Sequence, residues 1–93
     1  MLKISIKDHR STRLLVLEGK IIAPWTDELT KVACLDDANQ IAGRELVIDL
    51  QGVIDIGADG EETLYSLMLQ GATFRGGGVF VKQVMRRLAQ RMH

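Results

Sequence analysis

The spacing of apolar residues changes along this chain, and each spacing dictates a different kind of element. Leu2, Ile4 and Ile6 alternate with Lys3, Ser5 and Lys7, the period of a strand with one face in water. Asp8 to Ser11 is a polar break of hairpin length. Leu14-Leu15-Val16-Leu17, inside Thr12 to Glu18, is apolar on both faces, as a more central strand requires. Gly19 then punctuates the chain. From Pro24 onward Trp25, Leu29, Val32 and Ala33, continuing to Leu35 and Ile41, recur at helical spacing. The fixed φ of Pro24 suits a first helical turn. Asp27 and Glu28 near the start favour the helix dipole, and Gly43 is the expected stop.

Leu46-Val47-Ile48-Asp49-Leu50 is short, apolar and β-branched, the signature of a buried strand. Gln51 to Gly60, with Gly52, Gly57 and Gly60, is expected to be a loop. A second helix should open at Ala58 or Asp59, carry Leu64, Leu67 and Met68 inward, and end near Gly71. Gly76-Gly77-Gly78 then leads into Val79-Phe80-Val81, a third buried strand-like run. Val84, Met85, Leu88 and Met92 form a closing helical stripe, with Arg86, Arg87, Gln90 and Arg91 outward. The order β-β-α-β-α-β-α predicts an α/β fold. Its mixed sheet has helices mainly on one face, and residues 1–93 form a single domain.

Composition narrows the function. The 12 basic and 12 acidic residues cancel, whereas proteins that bind nucleic acid or anionic membrane usually carry a basic excess. One cysteine, Cys34, allows no internal disulfide. It is expected in the first helix as a small core thiol. No apolar run approaches the ~20 residues of a membrane span, and the N-terminus lacks a signal-peptide block. The expectation is a cytoplasmic chain with no membrane insertion.

From Leu15 to Leu88 the sequence resembles the STAS domain, shared by sulfate transporters and bacterial anti-sigma-factor antagonists. The resemblance is carried by Leu15-Val16-Leu17-Glu18-Gly19-Lys20-Ile21 and by Leu46-Val47-Ile48-Asp49-Leu50-Gln51-Gly52-Val53. The loop Ile56-Gly57-Ala58-Asp59-Gly60 then opens a helix. Free-standing bacterial members bind an anti-sigma factor, usually a serine kinase, and so release a sigma factor. The kinase phosphorylates a hydroxyl at the start of the second helix, and the added charge of about −1.5 to −2 breaks the complex. The resemblance therefore implies a non-enzymatic partner-binding module without a cofactor. Its contact residues would be Ile56, Gly57, Ala58, Asp59, Gly60, Glu61 and Glu62. The partner would be an anti-sigma factor or serine-kinase-like protein. The alternative is an accessory role beside a transporter subunit.

The sequence departs from that pattern at the switch. Where the family usually has Asp-Ser-Ser-Gly or Asp-Thr-Ser-Gly, this chain has Gly57-Ala58-Asp59-Gly60. Ala58, at the acceptor position, has no hydroxyl. Asp59 with Glu61 and Glu62 either imitates a phosphorylated state or complements the helix dipole. On the other reading Ala58 leaves the loop permanently competent to bind. The family also commonly continues with another strand and helix. An unpaired sheet edge invites pairing with another chain, so a homodimer is a further expectation.

Other candidates have bland readings. Asp49 and Asp55 lack a His, Cys or further carboxylate at ligand spacing, so structural roles and no metal are expected. His9 and His93 fit no triad. Gly76-Gly77-Gly78 is discounted as a phosphate loop because it is expected to precede a strand. Trp25 either packs over the first helix or anchors a partner. Arg86 and Arg87, within a basic C-terminal stretch, form a candidate docking charge.

Overall fold

The computed structural model describes residues 1–33 and 45–92. The expected places of Cys34, Leu35, Ile41, Gly43 and His93 lie outside the described residues.

The described elements run β1 (Leu2–Asp8), β2 (Thr12–Ile21), α1 (Trp25–Ala33), β3 (Glu45–Ile56), α2 (Ala58–Leu69), β4 (Thr73–Arg75) and α3 (Val79–Arg91). The sheet order is β1-β2-β3-β4, with β1 antiparallel to β2 and both later pairs parallel. This is the mixed α/β architecture that the apolar spacing predicts. The opening hairpin closes through His9, whose N–H donates to the Thr12 carbonyl at 2.7 Å. Arg13 clasps Asp8 across it with two bonds of 2.7 and 2.9 Å.

Strand alternation sorts the two faces. Leu2, Ile4, Leu15, Leu17, Ile48 and Leu50 point to one side, where they meet Leu29 of α1, Leu64 and Leu67 of α2, and Val81, Val84 and Leu88 of α3. All three described helices therefore cover the same face. Fully burying each such Leu or Val stabilises the fold by about 1.5–3 kcal/mol. The other face carries the rows Lys7–Leu14–Val47–Thr73 and Ser5–Val16–Asp49–Arg75 across the sheet. In the second row Arg75 Nε stands 3.5 Å from Asp49 Oδ2, a cross-strand pair of opposite charges.

Three expectations need correction. Val79-Phe80-Val81 is the first turn of α3, and the strand is Thr73-Phe74-Arg75, ahead of the glycines. Val81 starts the buried stripe Val81, Val84, Leu88, so tertiary packing at helical spacing overrides a β-branched local preference. Next, Gln51 to Ile56 is strand: β3 extends over 12 residues and stays paired with β2 through Ile56. Its polar residues are accommodated by register shifts around Glu18 and Lys20, as β-bulges allow. Gly19 therefore lies inside β2, at φ +104, where a Cβ would overlap the Met1 carbonyl oxygen. Finally, Gly76–Gly78 links a strand to a helix.

Candidate functional site

The start of α2 is fixed by its glycines. Gly57 N–H donates to the Ile21 carbonyl at 3.0 Å, and a Cβ on Gly57 would lie 3.0 Å from Ile22 Cγ2. At Gly60 a Cβ would overlap the same Ile21 carbonyl oxygen. Both glycines thus let the first turn of α2 sit directly on the end of β2. Their spacing serves close packing.

That seating divides the expected contact residues. Ile56 is the last residue of β3 and is buried, as is Gly60, so neither presents a side chain to a partner. Of the expected loop and helix start, residues 58–62 belong to the helix. Ala58 and Asp59 are exposed, Gly57 and Glu61 are half-buried, and Glu62 is exposed. No side chain caps the helix at Gly57. Thr63 spends its hydroxyl on the Asp59 carbonyl at 3.0 Å, while Ser66 is exposed farther along α2.

The acidic cluster also divides. Glu61 Oε2 lies 3.6 Å from Arg87 on α3, and Glu62 accepts two bonds from Arg91, at 2.8 and 3.4 Å. Arg91 in turn stacks 4.1 Å from the Tyr65 ring centre, and the Tyr65 hydroxyl donates to the Arg91 carbonyl at 3.2 Å. The bond from Arg91, aided by its charge, holds the Glu62 carboxyl below its ordinary value. The bond to Glu62 chiefly raises Arg91 in return. Glu61 and Glu62 are thus engaged with α3, and Asp59 is left as the outward acid at the helix start. The sequence gives no local sign of these pairs, because the Glu62–Arg91 partners are 29 residues apart.

The other candidates take structural places. Asp49 Oδ1 accepts from the Gln51 N–H at 2.8 Å, and Asp55 Oδ1 accepts from the Ile56 N–H at 3.0 Å. Among the described residues no three His, Cys, Asp or Glu side chains cluster as a metal site would need. The corrected strand–glycine–helix order removes the topological ground for discounting a phosphate loop at Gly76–Gly78. Charge supplies another: a Cβ on Gly76 would lie 3.0 Å from Asp49 Oδ1, so a carboxylate stands beside the turn. No Lys followed by Ser or Thr comes after it either. Trp25 opens α1 at 37% exposure, between the packed and displayed alternatives. Arg86 is exposed on α3, and no described helix is long and apolar enough to cross a membrane.

No family model matches the sequence, and no curated protein is significantly similar to it. Solved structures do match. An anti-sigma factor antagonist from Mycobacterium paratuberculosis superimposes with a TM-score of 0.72 at 19% identity, over 98% of this chain and 82% of that one. An uncharacterised protein of the DUF3478 family from Shewanella loihica, described as SpoIIAA-like in fold, gives 0.59 at 13% identity, over 91% and 75%. A structure of Mglu gives 0.61 at 15% identity, over 80% of this chain and 19% of that one.

Proposed function

We propose that this chain, which has the SpoIIAA-like fold of STAS domains, is a non-catalytic regulatory module that docks a protein partner with the exposed start of α2. The observation that carries the reading is the match to an anti-sigma factor antagonist over 98% of the chain, with Ala58 and Asp59 exposed where α2 begins. The partner is an anti-sigma factor or a related kinase-like protein in the bacterial cytoplasm. Ala58 cannot accept a phosphate, so the complex is not released by modification at that position. Control then lies in the amounts of the two proteins or at another surface.

Mass action makes this concrete: a module without a release switch holds its partner according to concentration and affinity alone. The test is to isolate the protein that co-purifies from the native cytoplasm and measure its affinity for two variants. Ala58→Arg should weaken the complex by at least about tenfold, since a long charged side chain would stand in a desolvated contact. Ala58→Ser should leave affinity nearly unchanged and make the chain a substrate if the partner is a serine kinase. Unaltered binding by Ala58→Arg rejects the start of α2 as the docking surface.

A further inference from the structure

The outer shoulder of α3 carries a groove of about 310 Å³ lined by Phe80, Gln83, Val84, Arg86 and Arg87. Phe80 is 47% exposed although it is a large apolar residue. Arg86 and Arg87 are exposed at the rim, with Lys82 exposed on the same helix. Among the described residues neither Lys82 nor Arg86 has an ion-pair partner. Arg87 is paired at 3.6 Å with Glu61.

The groove has a defined place relative to α2. Glu61 and Arg87 are 26 residues apart, as are Tyr65 and Arg91. These two pairs, together with Glu62–Arg91, hold α3 beside α2. The link between the groove and the first turns of α2 is Arg87, which lines the groove and pairs with Glu61.

From this geometry we infer that the α3 groove is a second contact surface, which receives an acidic protein segment carrying one bulky apolar residue. Exposed Phe80, beside the buried Val84, supplies the apolar seat, and Arg86, unpaired among the described residues, selects the sign of the flanking charge. Its volume lies at the low end of the ~300–1,000 Å³ of ligand pockets, enough for an anchoring side chain. Nucleic acid fits worse: the chain's charges cancel, and Phe80 is the one aromatic in the groove. The inference rests on the docking reading only in taking the occupant to be protein.

The test is a titration of the ¹⁵N-labelled chain, followed by amide shifts, with a short helical peptide of glutamates and leucines. A second peptide has every glutamate replaced by lysine, and a third has the leucines replaced by alanine. Shifts from the first peptide should centre on Phe80, Gln83, Val84, Arg86 and Arg87, and the other two should give none. Arg86→Glu should weaken binding about five- to tenfold, and Phe80→Ala about tenfold. Equal binding of the lysine peptide, shifts elsewhere, or no effect of Arg86→Glu would overturn the groove. If the complex broken by Ala58→Arg exists while the peptides fail, only the groove is rejected.

Discussion

At Gly57 the long strand β3 passes into α2 through a single residue, whereas between β4 and α3 the chain spends three glycines, Gly76 to Gly78. The first junction is crowded: Gly57 and Gly60 press on Ile21, the last residue of β2, and on Ile22 just beyond it. The second is looser in part. Gly76 and Gly77 take positive φ values of 76 and 96, while a Cβ on Gly78 would meet nothing within 4 Å. Glycine is demanded by contact in one place and mainly by backbone conformation in the other. The crowded junction holds a rigid helix start against the sheet, and that start is the surface proposed to bind.

Gly60→Val should break the first junction most severely. The added Cβ would meet backbone, which cannot swing aside as a side chain can, so the loss should reach the top of the ~1–3 kcal/mol range for overpacking. A urea unfolding midpoint measures it. A loss under about 0.5 kcal/mol would mean that α2 slides freely on β2, against this account. Gly77→Ala comes next, at about 1–2 kcal/mol, from a positive φ and a Cβ 2.7 Å from Val81 Cγ1. Gly78→Ser should do the opposite, gaining a few tenths of a kcal/mol by capping α3 in open space. Gly57→Ser, tight against Ile22, should gain nothing from the same change. Equal effects at Gly78 and Gly57 would erase the contrast.

The smallest effect is in the pH dependence of stability. The Glu62 carboxyl titrates below its ordinary value in the folded chain. Its stabilising share is therefore present above the unfolded value and lost as pH falls through the lowered folded one. Glu62→Gln should flatten the acid limb of a stability profile, and an unchanged slope would show that Arg91 does not hold the carboxylate in solution.

The same two junctions show what the sequence makes legible. The element order follows from the alternation in β1, the apolar runs of β2 and β3 and the helical spacing of Leu64 and Leu67 in α2. Val79-Phe80-Val81 misleads, since in isolation it has strand composition. Only the continuation to Val84 and Leu88 marks it as helix. The far end of β3 is hidden for another reason. Gln51, Gly52 and Asp55 look like loop residues, and it is pairing with β2 through shifted registers that keeps them in the strand. The sequence places Ala58 and Asp59 at the opening of a helix, and α2 does begin at Ala58. The seating on Ile21 and the pairs to Arg87 and Arg91 are not legible there, being contacts between residues far apart in the chain.

A photo-reactive residue placed at Ala58, with a control at Lys7 on the face of the sheet away from the helices, tests the docking claim most directly. In the native cytoplasm, irradiation should join one discrete protein to the chain labelled at Ala58 and none to the chain labelled at Lys7. A cross-linked partner at Lys7 with none at Ala58 would contradict the account, because recognition would then belong to the sheet face opposite the described helices.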